Sequence, residues 1–187
     1  MNITSYIQVI NEIPPELCDE VIEYIKKNEF KTHQWSSNED YKVHFSFDDK
    51  EPKIGYPTDE LESQLITSFK KAYFKYVNLF KPQTDYIQSL GPVRLNQYDK
   101  DSVMRSHFDH IHSLFDGKRR GIPVLSFIGA FNDDYQGGAL TFNLLSGKYA
   151  LNLKKGDVVI FPSVFIYEHE VESIINGTRY TGVSWGF

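Results

Sequence analysis

The sequence predicts an α+β fold in which helices come first and an antiparallel β-rich unit follows. Three observations carry that expectation. Two amphipathic helical patterns lie before Pro82, a string of short strand-like runs follows Gly91-Pro92, and no helical pattern separates those runs. Strands at such spacing indicate an antiparallel sandwich or barrel, and helices with a single apolar stripe are suited to covering one sheet face.

The first helix opens at Pro14-Pro15-Glu16, where proline is tolerated and an acid meets the positive dipole end. Leu17, Val21, Ile22, Tyr24 and Ile25 recur at helical spacing, with Asp19, Glu20, Glu23, Lys26 and Lys27 between them. The second begins at Thr58, a hydroxyl N-cap, and carries Leu61, Leu65, Ile66, Phe69, Tyr73, Phe74, Val77 and Phe80 before Pro82 ends it. Between them, residues 31–57 are aromatic and poorly periodic, with Trp35, Tyr41, Phe45, Phe47 and Tyr56. This segment reads either as a lid over a site or as an edge strand, and Val43-His44-Phe45-Ser46-Phe47 is its best strand candidate. The later strand-like runs are 93–98, 124–131, 139–144, 149–153, 158–161, 165–171 and 179–187. They are punctuated by Asn132-Asp133-Asp134, Gly137-Gly138, Ser146-Gly147, Lys155-Gly156-Asp157 and Asn176-Gly177. The expected organisation is one domain over 1–187, with 1–90 as helical support and 91–187 as the β-rich core.

Composition narrows the function classes. A hydrophobic fraction of 41 % and an aromatic fraction of 15 % supply a packed core, so whole-chain disorder is excluded. With 20 basic and 25 acidic residues the net charge is −5, which argues against a broad grip on nucleic acid or anionic membrane. Cys18 is the single cysteine, so no internal disulfide can form. No signal-peptide pattern opens the chain, and no apolar run is long enough to span a bilayer. A cytoplasmic protein is expected.

Chemistry concentrates around His107-Phe108-Asp109-His110-Ile111-His112. In an extended strand, residues two apart share a face, so His107 and Asp109 can converge on one ion. His169, in a second strand-like run, can supply a third ligand. Two histidines and a carboxylate on one octahedral face leave open positions, the arrangement of non-haem Fe(II) oxygenases. Arg179 follows His169 by ten positions, after the Asn176-Gly177 turn. A hairpin there would bring a guanidinium beside the metal, with the bidentate fork that grips a carboxylate. An iron site plus a fixed cation at that depth defines a pocket for the five-carbon diacid 2-oxoglutarate.

The pattern His107-Phe108-Asp109, His169-Glu170-Val171 and Arg179-Tyr180 resembles Fe(II)/2-oxoglutarate-dependent dioxygenases of the prolyl 4-hydroxylase-like branch. Further pieces match in order: Phe131-Asn132-Asp133 with Gly137-Gly138-Ala139-Leu140-Thr141-Phe142, then Gly156-Asp157-Val158-Val159-Ile160-Phe161-Pro162-Ser163, then Asn176-Gly177-Thr178-Arg179-Tyr180 and Trp185. The helix beginning Ile13-Pro14-Pro15-Glu16-Leu17 is also similar. The resemblance implies a double-stranded β-helix (jelly roll) with helices on its major sheet. It implies His107, Asp109 and His169 as Fe(II) ligands, Arg179 as the clamp on 2-oxoglutarate, and Tyr98, Leu140 and Val183 around that cosubstrate. Trp185 would lie where a target side chain packs. It further implies O2 as co-reactant, ascorbate as a reductant, succinate and CO2 as products, and hydroxylation of a prolyl or other residue in a peptide or protein. Ala130 stands where the family often has a tyrosine on the 2-oxoglutarate tail, and Tyr98 and Ser126 are the two candidates to replace it. Ala139 stands where an acid is common.

Other readings remain open on sequence. The same chemistry on a free amino acid or small metabolite is the nearest rival. A nucleic-acid demethylase is disfavoured by Trp185, where that branch has a second arginine, and by the acidic balance. A cupin-like metal-binding or isomerase module would use His110 and His112, with Asp116 where a glutamate is expected. A silent jelly-roll binding module is disfavoured by the intact ligand set. Lys118-Arg119-Arg120 reads as a solvated loop ahead of a substrate-docking patch.

Overall fold

The computed structural model describes residues 2–39, 42–46, 50–82, 85–109, 115–116, 119–120 and 123–187; for 36–39, 42–46, 115–116 and 119–120 it describes the backbone alone. His110, His112, Tyr41, Phe47 and Lys118 therefore lie outside the described residues. Of the stretch holding Asp116, Arg119 and Arg120, the backbone forms a two-residue strand pair.

Both helices form where the apolar spacing places them. Helix α1 runs Pro15–Lys27 and buries Leu17, Cys18, Val21 and Ile25. Helix α2 runs Asp59–Phe80; the Thr58 hydroxyl accepts from the Leu61 amide at 3.4 Å, and three acids occupy the first turn. Lys81 closes it in the left-handed region at φ 46°, with Pro82 barring continuation.

Eleven strands build two facing sheets: β1 Gln8–Asn11, β2 Lys31–Thr32, β3 Lys53–Gly55, β4 Arg94–Tyr98, β5 Met104–His107, β6 Leu125–Ala130, β7 Leu140–Leu144, β8 Gly147–Leu151, β9 Asp157–Pro162, β10 His169–Val171 and β11 Arg179–Gly186. The major sheet has the order β1-β9-β6-β11-β4-β3-β2, and the minor sheet β8-β7-β10-β5; the paired neighbours are antiparallel. Short pairs outside these sheets join Trp35–Glu39 to Lys42–Ser46 and Gln136–Gly137 to Ile174–Asn176.

Alternation along the strands feeds two cores. On the outer face of the major sheet, Phe127, Val158, Ile160 and Leu95 pack against Leu65, Phe69, Tyr73 and Val21 of the helices, with Phe69 and Phe127 stacked at 6.1 Å. Each such buried side chain contributes about 1.5–3 kcal/mol. On the inner face, Ile128, Val159 and Phe161 meet Leu140, Phe142 and Val171 of the minor sheet. The helices thus cover one face, as their stripes predict, and leave the space between the sheets for a site. The Glu62 carboxylate accepts from the Val93 amide at 2.8 Å and ties α2 to the start of β4.

Two expectations are corrected. The run 165–171 is not one strand: Phe165–Tyr167 forms a 3-10 turn and only His169–Val171 is extended. The Asn176-Gly177 turn does not fold β11 back onto β10. Ile174–Asn176 instead pairs with Gln136–Gly137, and the chain crosses to the opposite sheet before Arg179. The local turn signal was sound, but which sheet a strand joins is decided by which of its faces must be buried. The 31–57 segment supplies the edge strand β2 of the major sheet with β3 beside it, and Trp35 of the hairpin between them packs against His107 with ring centroids 5.1 Å apart.

Candidate metal and cosubstrate site

Two cross-strand pairs, one in each sheet, create the site. In the minor sheet His169 stands directly opposite His107, and in the major sheet Arg179 stands directly opposite Tyr98. Direct partners on one face approach closely by backbone geometry alone, so the ladders fix both pairs. Asp109 lies two residues beyond the end of β5, not in a strand as the spacing suggested, and its carboxylate still turns back to the two imidazoles.

His107 Nε2 is 3.7 Å from Asp109 Oδ1 and His169 Nε2 is 3.9 Å from Asp109 Oδ2. One donor atom from each of the three lies within 4.8 Å of the others. Each ring is oriented from behind. His107 Nδ1 donates to the Arg105 carbonyl at 2.7 Å, and His169 Nδ1 donates to the Tyr167 carbonyl at 3.0 Å. Because a carbonyl only accepts, both protons reside on Nδ1 and both Nε2 lone pairs face the cluster. Phe142 and Phe161 pack on His169 at 5.6 and 4.9 Å.

The electrostatics suit a cation. Burial, aided by the charge of His169, holds His107 down to about 4, so its imidazole is neutral at physiological pH. Burial alone would raise Asp109, but His169, His107 and hydrogen bonds from Ser126 and Trp185 outweigh it and keep the carboxylate below its ordinary range. The Ser126 hydroxyl donates to Asp109 Oδ2 at 2.6 Å and lies 2.8 Å from the Ser163 hydroxyl. Ser126 is therefore engaged at the ligand cluster, while Tyr98 lies beside Arg179. Of the two candidates to stand in for the tyrosine missing at Ala130, Tyr98 alone adjoins the guanidinium.

Arg179 is 1 % exposed, and its three guanidine nitrogens have no hydrogen-bond acceptor among the described residues. Its guanidinium sits over the Tyr98 ring at 5.0 Å, a contact that does not fill those donors. Burial raises the Tyr98 phenol, against the charges of Arg179 and Arg94. An unpaired buried cation is costly, and a planar fork of this kind matches a carboxylate. The donor set of two imidazoles and a carboxylate likewise fits Fe(II). Leu140 and Val183, both buried, line the same pocket, as does Trp185.

Neighbouring turns hold Arg179 in place. The Asn132 side chain donates to the Thr178 carbonyl at 2.7 Å and accepts from the Tyr180 amide at 2.8 Å, bracketing the arginine. Gly137 and Gly138 have φ of 77° and 65°; a Cβ on Gly138 would come within 3.2 Å of the Arg179 stem. Sequence reasoning overlooked Arg94 and Met104, which also line the pocket, and Ser163. The signal for Arg94 was available, since it shares strand parity with Tyr98.

A family profile described as the 2OG-Fe(II) oxygenase superfamily matches residues 93–186. A PKHD-type hydroxylase of Acinetobacter baumannii is 33 % identical over 98 residues, covering 50 % of this chain and 42 % of its own length. One from Thermosynechococcus vestitus is 30 % identical over 105 residues, covering 54 % and 45 %. The chain thus spans less than half the length of these relatives over the matched region. A crystal structure of a Pseudomonas putida prolyl-4-hydroxylase superposes with a TM-score of 0.67 at 16 % identity, over 97 % of this chain and 91 % of that one. A prolyl hydroxylase from Trichoplax adhaerens, solved in complex with a hypoxia inducible factor peptide fragment, gives 0.71 at 16 % identity over 98 % and 84 %. The α+β architecture with helices on a jelly roll is shared with these structures.

Proposed function

The chain belongs to the 2OG-Fe(II) oxygenase superfamily, and from that premise we propose that it is a 2-oxoglutarate-dependent hydroxylase acting on a prolyl or other residue of a peptide or protein. One observation carries the reading: a buried arginine with three unfilled donors sits over Tyr98, which lines the same pocket as a converging His-Asp-His cluster. When bound, Fe(II) with 2-oxoglutarate and O2 supplies the oxidising chemistry, giving succinate, CO2 and a hydroxylated product. The protein's own residues bind and orient. His107, Asp109 and His169 hold the metal through Nε2 and carboxylate oxygens, with the backbone carbonyls behind the rings fixing their aim. Arg179 grips the distal carboxylate of the cosubstrate, Tyr98 flanks it, and Leu140 and Val183 exclude water from its carbon chain. Trp185 donates toward Asp109 and walls the side from which the target approaches.

Residues 91–187 then form the catalytic core and 1–90 its support. A peptide target is favoured by the likeness to a prolyl hydroxylase solved with a peptide, and a cytoplasmic setting by the single cysteine. Among the described residues no helix is long and apolar enough to cross a membrane.

The test is succinate release from 2-oxoglutarate with Fe(II) and ascorbate in air. We expect His169→Ala to abolish it and Arg179→Ala to raise the 2-oxoglutarate requirement by on the order of 10²-fold, the loss of a charge-assisted bidentate contact. Full turnover in His169→Ala would remove the proposal. Tight zinc binding with indifference to 2-oxoglutarate would favour the cupin-like module.

A further inference from the structure

We propose that Arg94 makes the mouth of this site selective for a substrate that carries a carboxylate close to the carbon to be hydroxylated. The inference rests on the hydroxylase reading above and deepens it. Arg94 lies on β4 with its side chain on the inner face, and it lines the pocket together with His107, Asp109 and Trp185. Its guanidinium carbon stands 5.3 Å from the centre of the Trp185 ring, and its Nε donates to Asn96 Oδ1 at 3.2 Å. Stacking on one face and one bond at Nε hold the plane in place and leave the terminal nitrogens directed elsewhere. Among the described residues Arg94 forms no ion pair, although it is half-buried.

A charge balance isolates it. On the hydroxylase reading, a ferrous ion and Arg179 together carry three positive charges, and Asp109 and 2-oxoglutarate together carry three negative ones. Arg105, the neighbouring cation, is matched by Glu51, whose Oε1 accepts from its Nε at 2.8 Å and from the Trp35 indole at 2.7 Å. Among the described residues Arg94 is then left without an opposing charge at this pocket. A half-desolvated cation beside an aromatic wall discriminates best for an anion that completes it, and a planar guanidinium discriminates for a carboxylate. The carboxylate belongs either to a free amino acid or to an acidic side chain next to the target residue in a peptide.

The experiment titrates matched probes while following tryptophan emission, to which Trp185 and Trp35 alone contribute. L-proline is compared with L-prolinamide, and the peptide acetyl-Ala-Pro-Asp-Ala-amide with its Asp-to-Asn counterpart. Titrations are run on the protein as isolated and again with Mn(II) and N-oxalylglycine, an unreactive analogue of the cosubstrate. We expect at least about tenfold tighter binding of the charged member of one pair, the scale of a charge-assisted hydrogen bond. Preference within the first pair identifies a free acid, and preference within the second an acidic peptide. Arg94→Gln should erase the preference, Arg94→Lys should keep part of it, and Arg94→Glu should reverse it toward a Lys-bearing peptide. Equal binding of charged and neutral probes, no binding of either acid, or an unchanged preference in Arg94→Gln would overturn the proposal. Succinate release is measured separately, so failure of the hydroxylase reading leaves the binding comparison to judge Arg94 by itself.

Discussion

Replacing Arg179 by methionine should have two opposite effects, and their combination is diagnostic. The guanidinium is 1 % exposed, with Nε and both terminal nitrogens lacking acceptors, so in the ligand-free protein it pays desolvation that only the Tyr98 ring partly offsets. A buried unsatisfied donor costs about 1–3 kcal/mol, more when charged, and a desolvated cation–π contact returns about 2 kcal/mol. Methionine is flexible enough to occupy the arginine stem's course between Gly138 and Tyr98. The ligand-free variant should therefore gain about 1–3 kcal/mol, a rise of roughly 2–12 °C for a chain of this size. Wild-type protein should gain a further ~2.7 kcal/mol at 2-oxoglutarate a hundredfold above its Kd, whereas the variant should gain almost nothing. Thermal and urea unfolding with and without Mn(II) and 2-oxoglutarate measure both effects. If the methionine variant unfolds earlier than wild type without ligand, or is stabilised by 2-oxoglutarate to the same extent, Arg179 is not a poised and unpaired clamp.

Three other perturbations probe the supports around it. Ser126→Ala removes the 2.6 Å bond to Asp109 and strands the Ser163 hydroxyl, so Mn(II) affinity measured by calorimetry should fall about 10-fold or more. Gly137→Ala should cost more stability than Gly147→Ala in urea unfolding, by about 1–3 kcal/mol: both have positive φ, but a Cβ on Gly137 would meet the Ser173 carbonyl at 2.3 Å while one on Gly147 meets nothing within 4 Å. Burial pushes the Cys18 thiol up to about 11 from 9.0, so the folded state holds that proton while the unfolded state releases it. Stability should be complete below pH 9 and fall by up to about 3 kcal/mol as pH rises to 11, a loss that Cys18→Ala removes in alkaline titrations.

What was legible in the sequence is what local chemistry determines. His107 and His169 are direct cross-strand partners, and Asp109 turns back to them from just beyond β5, so the H-x-D pair was found although the strand it was expected to lie in stops at His107. Both helices sit where the 3.6-residue period and Thr58 place them. Most strand runs after Gly91-Pro92 were likewise readable from alternation and glycine turns, whereas 165–171 begins as a 3-10 turn and β1 went unread. The partner of each strand was not. Asn176-Gly177 has the chemistry of a hairpin turn, with Gly177 at φ 80°, yet it sits in a crossing between sheets, because β11 has to bury both faces. Arg179 thus belongs to the sheet opposite the one that carries His169 and not to the strand beside it. Arg94 escaped notice because a lone arginine in a strand looks like an edge charge until its cross-strand neighbour, Val183, places it facing inward. The 31–57 segment was ambiguous for a related reason. Its aromatic residues serve two surfaces, with Tyr56 60 % exposed and Trp35 packed against His107.

The dependence on two sheets also explains how the cross-strand pairs of the site are positioned. Each functional pair is locked within its own ladder, so the remaining freedom is the spacing and slide of one sheet relative to the other. Phe142 from the minor sheet and Phe161 from the major sheet meet edge-to-face at 4.9 Å and 83°, and both rings also contact His169. That contact keys the sheet spacing to the position of the His169 imidazole, since moving the sheets apart would free the ring as well as open the core. At the other end of the pocket, the Asn132 bonds and the glycines at 137 and 138 fix where β11 begins, and hence how deep the Arg179 guanidinium lies. The distance between the two pairs is therefore set by core packing, so on the proposed hydroxylase reading a substitution remote from His107, Asp109, His169 and Arg179 should change which diacid length binds.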